Sequence, residues 1–369
     1  MKLLHMTNRR QRIFFTCILP ERLIAKYGLS FAACNFSFNL MSGGGFTKVY
    51  STMPLFVGGE MDKEAFEDGR FELVYDKLRK SGGIWQKFAA LKEQWTIFRE
   101  IPKRSSVWFY NLNVLSALLF VLLKVFKPSV QLNVIVLDYT PAKSWREQNY
   151  WYLKLINSAN GRICLANSPL FKQNNSVTLP GVVPAQNEEF PLVVKPAMSF
   201  LLSGMLLPEI AQLEMVLKTF AELPQYELHI TGTKGDEEML NEYANKYVNI
   251  HWHGQIPYKE YLNLLHSVTF LLSTRDPEMP ENQCNFPSKI IESLLHNRIV
   301  ISTIEYKQMK GVKYFVTASQ PDVFKQHIEG ISRLGMDTLL EYANQGALVA
   351  EKFSNKVWND TMTRIEIEK

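Results

Sequence analysis

Lys289 and Glu292 lie three residues apart directly after Pro287, in a segment whose residue types suit phosphate binding. Proline fits the first position of a helix, because its φ is fixed and it has no N–H to leave unbonded. The free N–H groups of a first helical turn attract an anion, and Lys289 and Arg275 would add full positive charges. The carboxylate of Glu292 can accept two hydrogen bonds from a vicinal diol, such as a ribose. The pattern therefore predicts a site for a nucleoside diphosphate.

The helix that carries these residues is predicted to have two unlike faces. At 100° per residue, one face carries four apolar side chains and the opposite face carries polar ones. The apolar set is Ile290, Ile291, Leu294 and Leu295, and the polar set is Ser288, Lys289, Glu292 and His296. We expect the polar face to look outward from the carboxyl end of the preceding strand. An ordinary capped helix with a solvated polar face would show the same spacing, and the pattern leaves both interpretations open.

The second half of the chain alternates apolar strands with amphipathic helices. Such alternation is typical of a parallel sheet with right-handed crossovers and helices on both faces. The predicted strands are 200–204, 226–232, 248–254, 267–274 and 298–303, and the predicted helices are 209–222, 236–246, 258–266 and 287–297. We therefore expect a doubly wound α/β domain here.

The first half is less regular but of the same kind. Its predicted strands are 13–20, 48–54, 107–110, 132–138 and 162–167, and its predicted helices are 32–43, 84–99 and 113–126. The apolar run Val114–Phe126 is too short to span a bilayer and is predicted as a buried helix. The whole chain is then an α/β protein with two Rossmann-like, doubly wound domains that face each other across a cleft, where the ligands of open α/β sheets bind.

The domain boundary is predicted within residues 180–197, where prolines and polar residues interrupt the periodicity. This gives an acceptor-binding domain over 1–185 and a donor-binding domain over 186–349. The last helical stretch is predicted at about 338–369. We expect its tail, about 350–369, to return to the first domain.

Positive charge is concentrated in the first half of this 369-residue chain. Residues 1–185 hold 24 Lys and Arg against 12 Asp and Glu, whereas residues 186–369 hold 17 against 24. A basic half predicts an anionic partner, such as phospholipid headgroups or a lipid-linked phosphate, although a soluble domain can also merely be basic. No nucleic-acid partner is predicted, because the chain has no RNP-like motif, zinc-finger spacing or basic recognition helix.

Neither a metal site nor secretion is predicted. The four cysteines show no C-x-x-C or Cys/His spacing, which fits a reducing cytoplasm without a zinc site or a disulfide framework. No D-x-D pair occurs, and the acidic run 236–238 is predicted to cap a helix. His229, His251 and His253 lie on predicted strands, where packing is favoured over metal binding. The first residues do not have the order of a signal peptide.

Asp138 is the candidate for chemistry in the first half. It ends the predicted strand 132–138 and is followed by Tyr139, Thr140 and Pro141. A carboxylate at a strand terminus can act as a general base or bind a sugar hydroxyl. A turn-forming aspartate is the alternative interpretation.

Five segments of the second half resemble the donor domain of GT-B glycosyltransferases. They are L-S-G at 202–204, Y-E-L-H-I-T-G at 226–232, H-G-Q-I-P-Y-K-E at 253–260, S-T-R at 273–275 and N-F-P-S-K-I-I-E at 285–292. The similarity is to the retaining group with an E-x7-E donor motif, which is used in bacterial capsule and other surface-polysaccharide assembly. It covers residues 197–305 well, and the first half only by its pattern of elements.

The resemblance implies roles for particular residues. Glu292 matches the second carboxylate of the E-x7-E motif, which holds the ribose of the nucleotide. Gly204 matches a glycine whose backbone approaches phosphate closely, and Gln255 and Ile256 match positions that meet the nucleobase. The rest of the donor-binding set is Arg275, Asn285, Phe286, Pro287, Ser288 and Lys289.

The chain also departs from the family pattern. The first carboxylate of the motif falls at Cys284, for which Glu281 or Asn282 are candidate replacements. Many relatives carry an Arg and a Lys after the first donor-domain strand, and Met205 and Ile210 stand there instead. Arg275 and Lys289 are the candidates to supply the missing charge, without which the domain would bind a nucleotide but not turn over.

The implied activity is a retaining, metal-independent transfer of a sugar from a UDP- or GDP-sugar to a growing glycan or a lipid-linked acceptor. Asp138, Arg275 and Lys289 are the expected catalytic residues, and no cofactor is expected. The protein would be cytoplasmic and peripheral at the inner membrane, through its basic half. Two alternatives stay open: a catalytically silent nucleotide-sugar-binding subunit, and a nucleotide-sugar epimerase of the same architecture.

Overall fold

The computed structural model describes residues 10–18, 31–51, 72–75, 84–184 and 190–367. The chain divides into two compact units. The first unit comprises Met1–Ala185 together with Phe353–Lys369, and the second comprises Gln186–Lys352. The end of the chain thus belongs to the same unit as its beginning.

A parallel sheet of seven strands forms the centre of the first unit, in the order β3-β2-β1-β4-β5-β6-β7. Every residue of β1 and of β5 is buried, as expected for strands covered on both faces. The strands are Arg12–Thr16 (β1), Lys48–Ser51 (β2), Glu72–Tyr75 (β3), Ser106–Tyr110 (β4), Gln131–Val136 (β5), Gly161–Cys164 (β6) and Ser176–Thr178 (β7). The described helices are Phe31–Gly43 (α1), Ile84–Glu100 (α2), Val114–Phe126 (α3), Gln148–Asn157 (α4) and the carboxyl-terminal helix Asn355–Ile367.

Helix α3 is not buried, and that prediction was wrong. Its start is well defined, because the Asn113 side chain accepts hydrogen bonds from the N–H groups of Leu115 and Ser116. One side of the helix packs inward, but Val114 and Val125 are each 61% exposed. The error has a simple cause: apolar residues occupy all sides of this helix, and only one side faces the protein core.

The second unit has a parallel sheet of six strands, in the order β10-β9-β8-β11-β12-β13. Its strands are Ser199–Met205 (β8), Glu227–Thr233 (β9), Ile250–Trp252 (β10), Phe270–Ser273 (β11), Ile299–Ser302 (β12) and Phe315–Val316 (β13). Its helices are Pro208–Ala211 (α5), Leu213–Ala221 (α6), Glu237–Lys246 (α7), Tyr258–Ser267 (α8), Pro280–Cys284 (α9), Ser288–Leu295 (α10), Pro321–Ser332 (α11), Met336–Tyr342 (α12) and Gly346–Phe353 (α13). Both units are Rossmann-like, doubly wound parallel sheets, which confirms the predicted α/β class with two such domains.

The long helix predicted at 338–369 is three helices, and the prediction was wrong in this respect. The first break follows α12, where Asn344 has a φ of +48°. The Asn344 side chain accepts a hydrogen bond from the Val193 N–H at 2.8 Å and donates one to the Val193 carbonyl at 3.0 Å. Asparagine tolerates the left-handed conformation, and these tertiary bonds favour it over a continued helix.

The strand order of the second unit reverses between β8 and β11, because β9 and β10 lie on one side of β8 and β11 lies on the other. Loops that leave such neighbouring strands diverge at their carboxyl ends and leave room for a ligand. Here the Thr274 hydroxyl, just after β11, donates a hydrogen bond to the Ala211 carbonyl in α5. The two loops are thereby held together at this edge.

Among the described residues, no helix combines the length and the apolar composition needed to cross a membrane.

Candidate functional site

Helix α10 has the two faces that its sequence predicts, with two corrections. Ile290 and Leu294 are fully buried on the apolar face. Pro287 is the N-cap residue, with φ −74° and ψ 112°, rather than the first helical residue. His296 is 5% exposed and was wrongly placed on the outer face. The ring of Phe190 covers it, with ring centroids 3.8 Å apart.

The Glu292 carboxylate is surrounded by hydrogen-bond donors. The Tyr258 hydroxyl donates to Oε1 at 3.0 Å, and the Tyr261 hydroxyl donates to Oε2 at 2.8 Å. Lys289 Nζ lies 3.0 Å from the same Oε2. Because each carboxylate oxygen can accept about two bonds, Oε1 has room for a further donor.

Electrostatics keep this carboxylate charged. Burial acts to raise the pKa of Glu292, but the charge and hydrogen bond of Lys289 and the bonds from Tyr261 and Tyr258 lower it below its usual value. Burial and the neighbouring Glu292 charge raise the pKa of both tyrosines. The group is therefore an anion held by two neutral hydroxyls and one ammonium.

Lys289 contacts both the Glu292 carboxylate and the aromatic ring of Tyr261. Its Nζ lies 3.6 Å from the centroid of the Tyr261 ring as well as beside Glu292. Its side chain as a whole is 30% exposed. An ammonium has three N–H donors, and the ion pair with Glu292 uses one of them. The remaining donors can serve an anion at the start of α10.

Gly204 lies within β8 rather than after it, next to this carboxylate cluster. Its φ of +114° favours glycine, and a Cβ built there would meet nothing within 4 Å. The hydroxyl of the preceding residue, Ser203, lies beside Tyr261 and opposes the rise in the pKa of Tyr261. No described residue offers this buried hydroxyl a hydrogen bond of regular geometry. The backbone at Gly204 thus borders open space at the carboxyl end of β8.

Gln255 and Ile256 lie in the loop between β10 and α8, immediately before the tyrosines that bind Glu292. Gln255 is exposed and Ile256 is half-buried. The loop is anchored at Gly254, whose φ is +67° and whose carbonyl accepts a hydrogen bond from the Thr231 hydroxyl at 2.7 Å. The structure therefore brings the predicted nucleobase positions close to the predicted ribose carboxylate, because the nearby Tyr258 donates a hydrogen bond to Glu292.

Arg275 belongs to a second group of residues, after β11. Its Nη1 donates to Asn282 Oδ1 at 3.1 Å. Burial raises the pKa of Tyr306, and the positive charge of Arg275 acts against this rise. The Tyr306 ring in turn lies against Phe286, with centroids 4.9 Å apart. Lys289 instead contacts the Glu292 carboxylate and the Tyr261 ring. The two predicted cations thus lie in separate contact groups of one unit.

The candidate replacements for the missing carboxylate differ in their contacts. Cys284 is 3% exposed and buried in α9. The Asn282 side chain donates a hydrogen bond to the Asp276 carbonyl at 2.8 Å and accepts one from Arg275. Its amide therefore stabilises the loop after β11. Glu281 has a buried Oε2 without a hydrogen-bond partner in the described part of the chain. Of the two, Glu281 is the better placed to bind a further group.

A cavity of about 480 Å³ lies beyond the carboxyl ends of β8 and β9. Leu206, Gln212, Lys234 and Asp236 are among its lining residues, and none of the predicted donor-binding residues is. Met205, at the end of β8, is 40% exposed. Ile210 lies in α5. Uncharged side chains thus occupy both positions where relatives carry cations.

Asp138 lines a smaller cavity in the first unit, of about 150 Å³. Its other lining residues are mostly polar and include Asn111, Thr140, Asn149 and Tyr152. Asn111, just after β4, has a φ of +51°, and its side chain accepts a hydrogen bond from the Leu137 N–H at 2.8 Å. Asp138 itself is exposed, and it lies beside polar groups that follow β4 and β5.

His229 of β9, His251 of β10 and His253, which directly follows β10, contact one another. His229 Nδ1 lies 3.1 Å from His253 Nε2, and the rings of His229 and His251 stack with centroids 4.8 Å apart. Burial, with the neighbouring charges of His251 and His253, lowers the pKa of His229 to about 4. In the part of the chain that the structure describes, no cluster of three or more His, Cys, Asp or Glu side chains is arranged to hold a metal ion.

Tyr258 and Tyr261 belong to the candidate site, but the sequence pattern did not predict this. They lie three positions apart and so share a face of α8, which is the signal that the sequence offers. Their acceptor, Glu292, lies more than thirty positions away, as the separations of 34 and 31 residues show. Only the packing of α8 against α10 brings them together.

No protein-family profile matches the sequence, and no curated protein matches it significantly. Solved structures do match over nearly the whole chain. The N-terminal domain of trehalose-6-phosphate phosphatase from Candida albicans has a TM-score of 0.65 at 11% identity, covering 98% of this chain and 97% of that one. HepE of Anabaena in complex with UDP-glucose has a TM-score of 0.62 at 13% identity, covering 96% and 98%.

The lipopolysaccharide outer core galactosyltransferase WaaB is similar as well. Its TM-score is 0.60 at 15% identity, and the match covers 96% of this chain and 98% of WaaB. At such low identity these matches establish the fold alone. This chain has the GT-B fold, with two Rossmann-like domains.

Proposed function

We propose that this chain is a glycosyltransferase that moves a sugar from a UDP- or GDP-sugar to a glycan or lipid-linked acceptor in surface-polysaccharide biosynthesis. The observation that carries the proposal is the Glu292 carboxylate, held charged by three donors beside the open backbone at Gly204. The fold is one that WaaB shares, and the structure of HepE holds UDP-glucose. Both comparisons support a nucleotide-sugar donor.

The ribose would bind at Glu292. Oε1 receives one hydrogen bond, from Tyr258, and can accept another from a ribose hydroxyl. The base would then lie over Gln255 and Ile256, which are three and two positions before Tyr258. The diphosphate would follow toward the first turn of α10.

The chemistry of transfer requires stabilisation of the departing diphosphate and placement of the acceptor hydroxyl. The N–H groups at the start of α10, with Lys289 and Arg275, would supply the first requirement without a metal ion. Asp138, in the polar cavity of the first unit, would bind or deprotonate the acceptor. We propose retention at the anomeric carbon, because residues 285–292 resemble the retaining group.

We place the reaction in the cytoplasm, at the inner face of the inner membrane. The support is the charge of the first half of the chain, with 24 basic against 12 acidic residues in 1–185. Such a half is attracted to an anionic surface, where a lipid-linked acceptor would be found.

The test is turnover of a panel of UDP- and GDP-sugars by the purified chain. We expect free nucleotide to be released only when a lipid-linked or glycan acceptor is added. The release should be the same with and without EDTA. The configuration of the product at its anomeric carbon, read by NMR, decides retention. A requirement for a divalent ion would contradict the metal-independent step.

A catalytically silent nucleotide-sugar-binding subunit is the second candidate, favoured by the uncharged residues at Cys284, Met205 and Ile210. It would bind UDP or GDP and never release nucleotide from any sugar donor. A nucleotide-sugar epimerase would instead convert the donor without an acceptor, which chromatography of the donor pool separates from transfer.

A further inference from the structure

Helix α2 exposes large apolar side chains along one face. Phe88 is 56%, Leu91 47% and Trp95 50% exposed. At spacings of three and seven residues, they lie within about 60° of one another around the helix. Soluble helices usually turn such a stripe toward the core, and here the buried residues Ile97 and Phe98 already form the inward side.

Helix α3 exposes a second apolar stripe. Val114 and Val125 are each 61% exposed, Val121 is 40% and Phe126 is 64%. The three valines lie seven and eleven residues apart and share one side of the helix. Contiguous exposed apolar surface on a protein marks a place where something else binds.

Aromatic contacts join the two helices. Trp95 stacks on Phe98 with centroids 5.1 Å apart, and Phe98 meets Phe126 edge-on at 6.3 Å. Lys127, directly after α3, stabilises the contact between the two helices. Its ammonium lies 4.6 Å from the centroid of the Phe98 ring and donates a hydrogen bond to the Ile101 carbonyl at 2.6 Å. The exposed residues therefore form one surface, the aromatic face, made of Phe88, Leu91, Trp95, Val121, Val125 and Phe126.

Basic residues surround the aromatic face. Residues 84–130 contain seven Lys and Arg and two acidic residues, Glu93 and Glu100. Glu100 is already paired, since it accepts from Lys48 at 3.2 Å and from the Tyr50 hydroxyl at 2.8 Å. The exposed cations are Lys87, Lys92, Arg99, Lys103, Arg104 and Lys124.

We propose that the aromatic face docks on a bilayer surface rich in anionic phospholipid, with α2 and α3 lying along the interface. Aromatic and branched apolar side chains enter the boundary of the acyl chains, while lysines and arginines remain among the headgroups. Helix α3, with thirteen residues, is about 20 Å long and lies along the membrane rather than across it.

Charge decides between a membrane and a second copy of the chain. A twofold contact through the aromatic face would set the basic rim of one copy against the same rim of the other. An anionic lipid surface instead attracts each Lys or Arg near it. Docking through the aromatic face makes the membrane location proposed above more specific. It does not depend on sugar transfer, because binding to vesicles requires no nucleotide-sugar donor.

The experiment is co-sedimentation of the full chain with vesicles of phosphatidylcholine alone or of phosphatidylcholine mixed with phosphatidylglycerol. We expect binding to the mixed vesicles, weakened by salt. Phe88→Ser with Val125→Ser should weaken it about tenfold or more, through lost apolar burial. Lys92→Glu with Arg99→Glu should weaken it by about tenfold or more, through lost headgroup attraction. Val248→Ser with Lys246→Glu is the control, because both residues are exposed in the second unit.

Failure of the wild-type chain to bind the mixed vesicles would overturn the inference, as would equal binding by all variants. A dimer in solution that the Phe88 and Val125 changes dissociate would assign the face to self-association instead. UDP binding of each variant is measured in parallel. A chain that binds UDP but not vesicles refutes the docking and leaves the proposed transfer standing.

Discussion

Glu292 is the residue on which the donor site depends. Its charge is stabilised by Lys289 and by two tyrosine hydroxyls, and a neutral group of the same size would lose the ion pair. We expect Glu292→Gln to weaken UDP binding about tenfold or more, which corresponds to about 1.4 kcal/mol or more. Isothermal titration calorimetry measures the change, and Glu260→Gln, at an exposed position of α8, is the matched control. If Glu292→Gln and Glu260→Gln bind UDP with equal affinity, Glu292 does not bind the ribose.

His296 makes the stability of the second unit depend on pH. Burial, with the nearby charges of His266, Arg298 and Lys289, lowers the pKa of His296 from 6.5 to about 4, although Glu292 opposes this. The unfolded chain takes up a proton below pH 6.5 and the folded one does not, so the free energy of unfolding falls as the pH drops from 6.5 toward 4.

The loss between pH 7 and pH 5 should be about 2 kcal/mol from this one group. His296→Gln removes the titrating ring and keeps a hydrogen-bonding side chain, so the variant should lose less stability over the same interval. Urea unfolding followed by circular dichroism at the two pH values gives the comparison. The same loss in both proteins would show that other groups cause it.

At the residue scale, local spacing placed Lys289 and Glu292 on one helix face but predicted neither their ion pair nor the partners that are distant in sequence. The outward placement of His296 failed because Phe190, more than a hundred positions earlier, covers that side of α10. A helical wheel shows which residues share a face, but it does not show what packs against that face.

At the scale of the elements, β8 and β9 approach each other closely through two paired glycines. Gly204 and Gly232 are partners in the sheet register. A Cβ on Gly232 would come within 2.0 Å of the Gly204 carbonyl oxygen, so backbone would have to move. We expect Gly232→Ala to cost about 2 kcal/mol or more, as overpacked sites do.

Gly204→Ala should act differently, since its Cβ would point into open space. The φ of +114° strains any other residue there by about 1–3 kcal/mol. The added methyl would also occupy the space where phosphate is proposed to approach, so UDP binding should weaken along with stability. Gly330→Ala is the control for thermal unfolding: it lies exposed in α11 with no atom near its Cβ, and should stabilise by up to about 1 kcal/mol.

The core strands and the alternation of elements could be predicted from the sequence, because buried parallel strands are unbroken apolar runs. The edge strand β10 was also predicted, within 248–254, but the edge strands β7 and β13 were not. β7 has three residues, all half-buried, and β13 has two. Such segments carry too little apolar pattern to stand out, and they form strands because a neighbouring edge offers hydrogen bonds.

At the scale of the whole chain, the last helix completes the first unit. Arg12 of β1 forms an ion pair with Glu366 at 2.7 Å, across 354 positions of sequence. Glu366 also accepts hydrogen bonds from the Ser106 hydroxyl at 2.7 Å and from Trp108 Nε1 at 2.8 Å. Two strands of the central sheet thus depend on a residue near the end of the chain. The sequence predicted a return of the tail but not this partner, because nothing local links the two positions.

Removal of the Glu366 carboxylate should therefore destabilise the first unit. The side chains of Arg12 and Glu366 are 8% and 12% exposed, so Glu366→Ala would leave a buried guanidinium without its counter-ion. The expected cost is about 3–5 kcal/mol, measured as a shift in the urea midpoint. Asp360→Ala, at an exposed position of the same helix, should change stability by no more than about 0.5 kcal/mol. Because UDP would bind the second unit, its affinity should be unchanged in Glu366→Ala under conditions where that variant is folded.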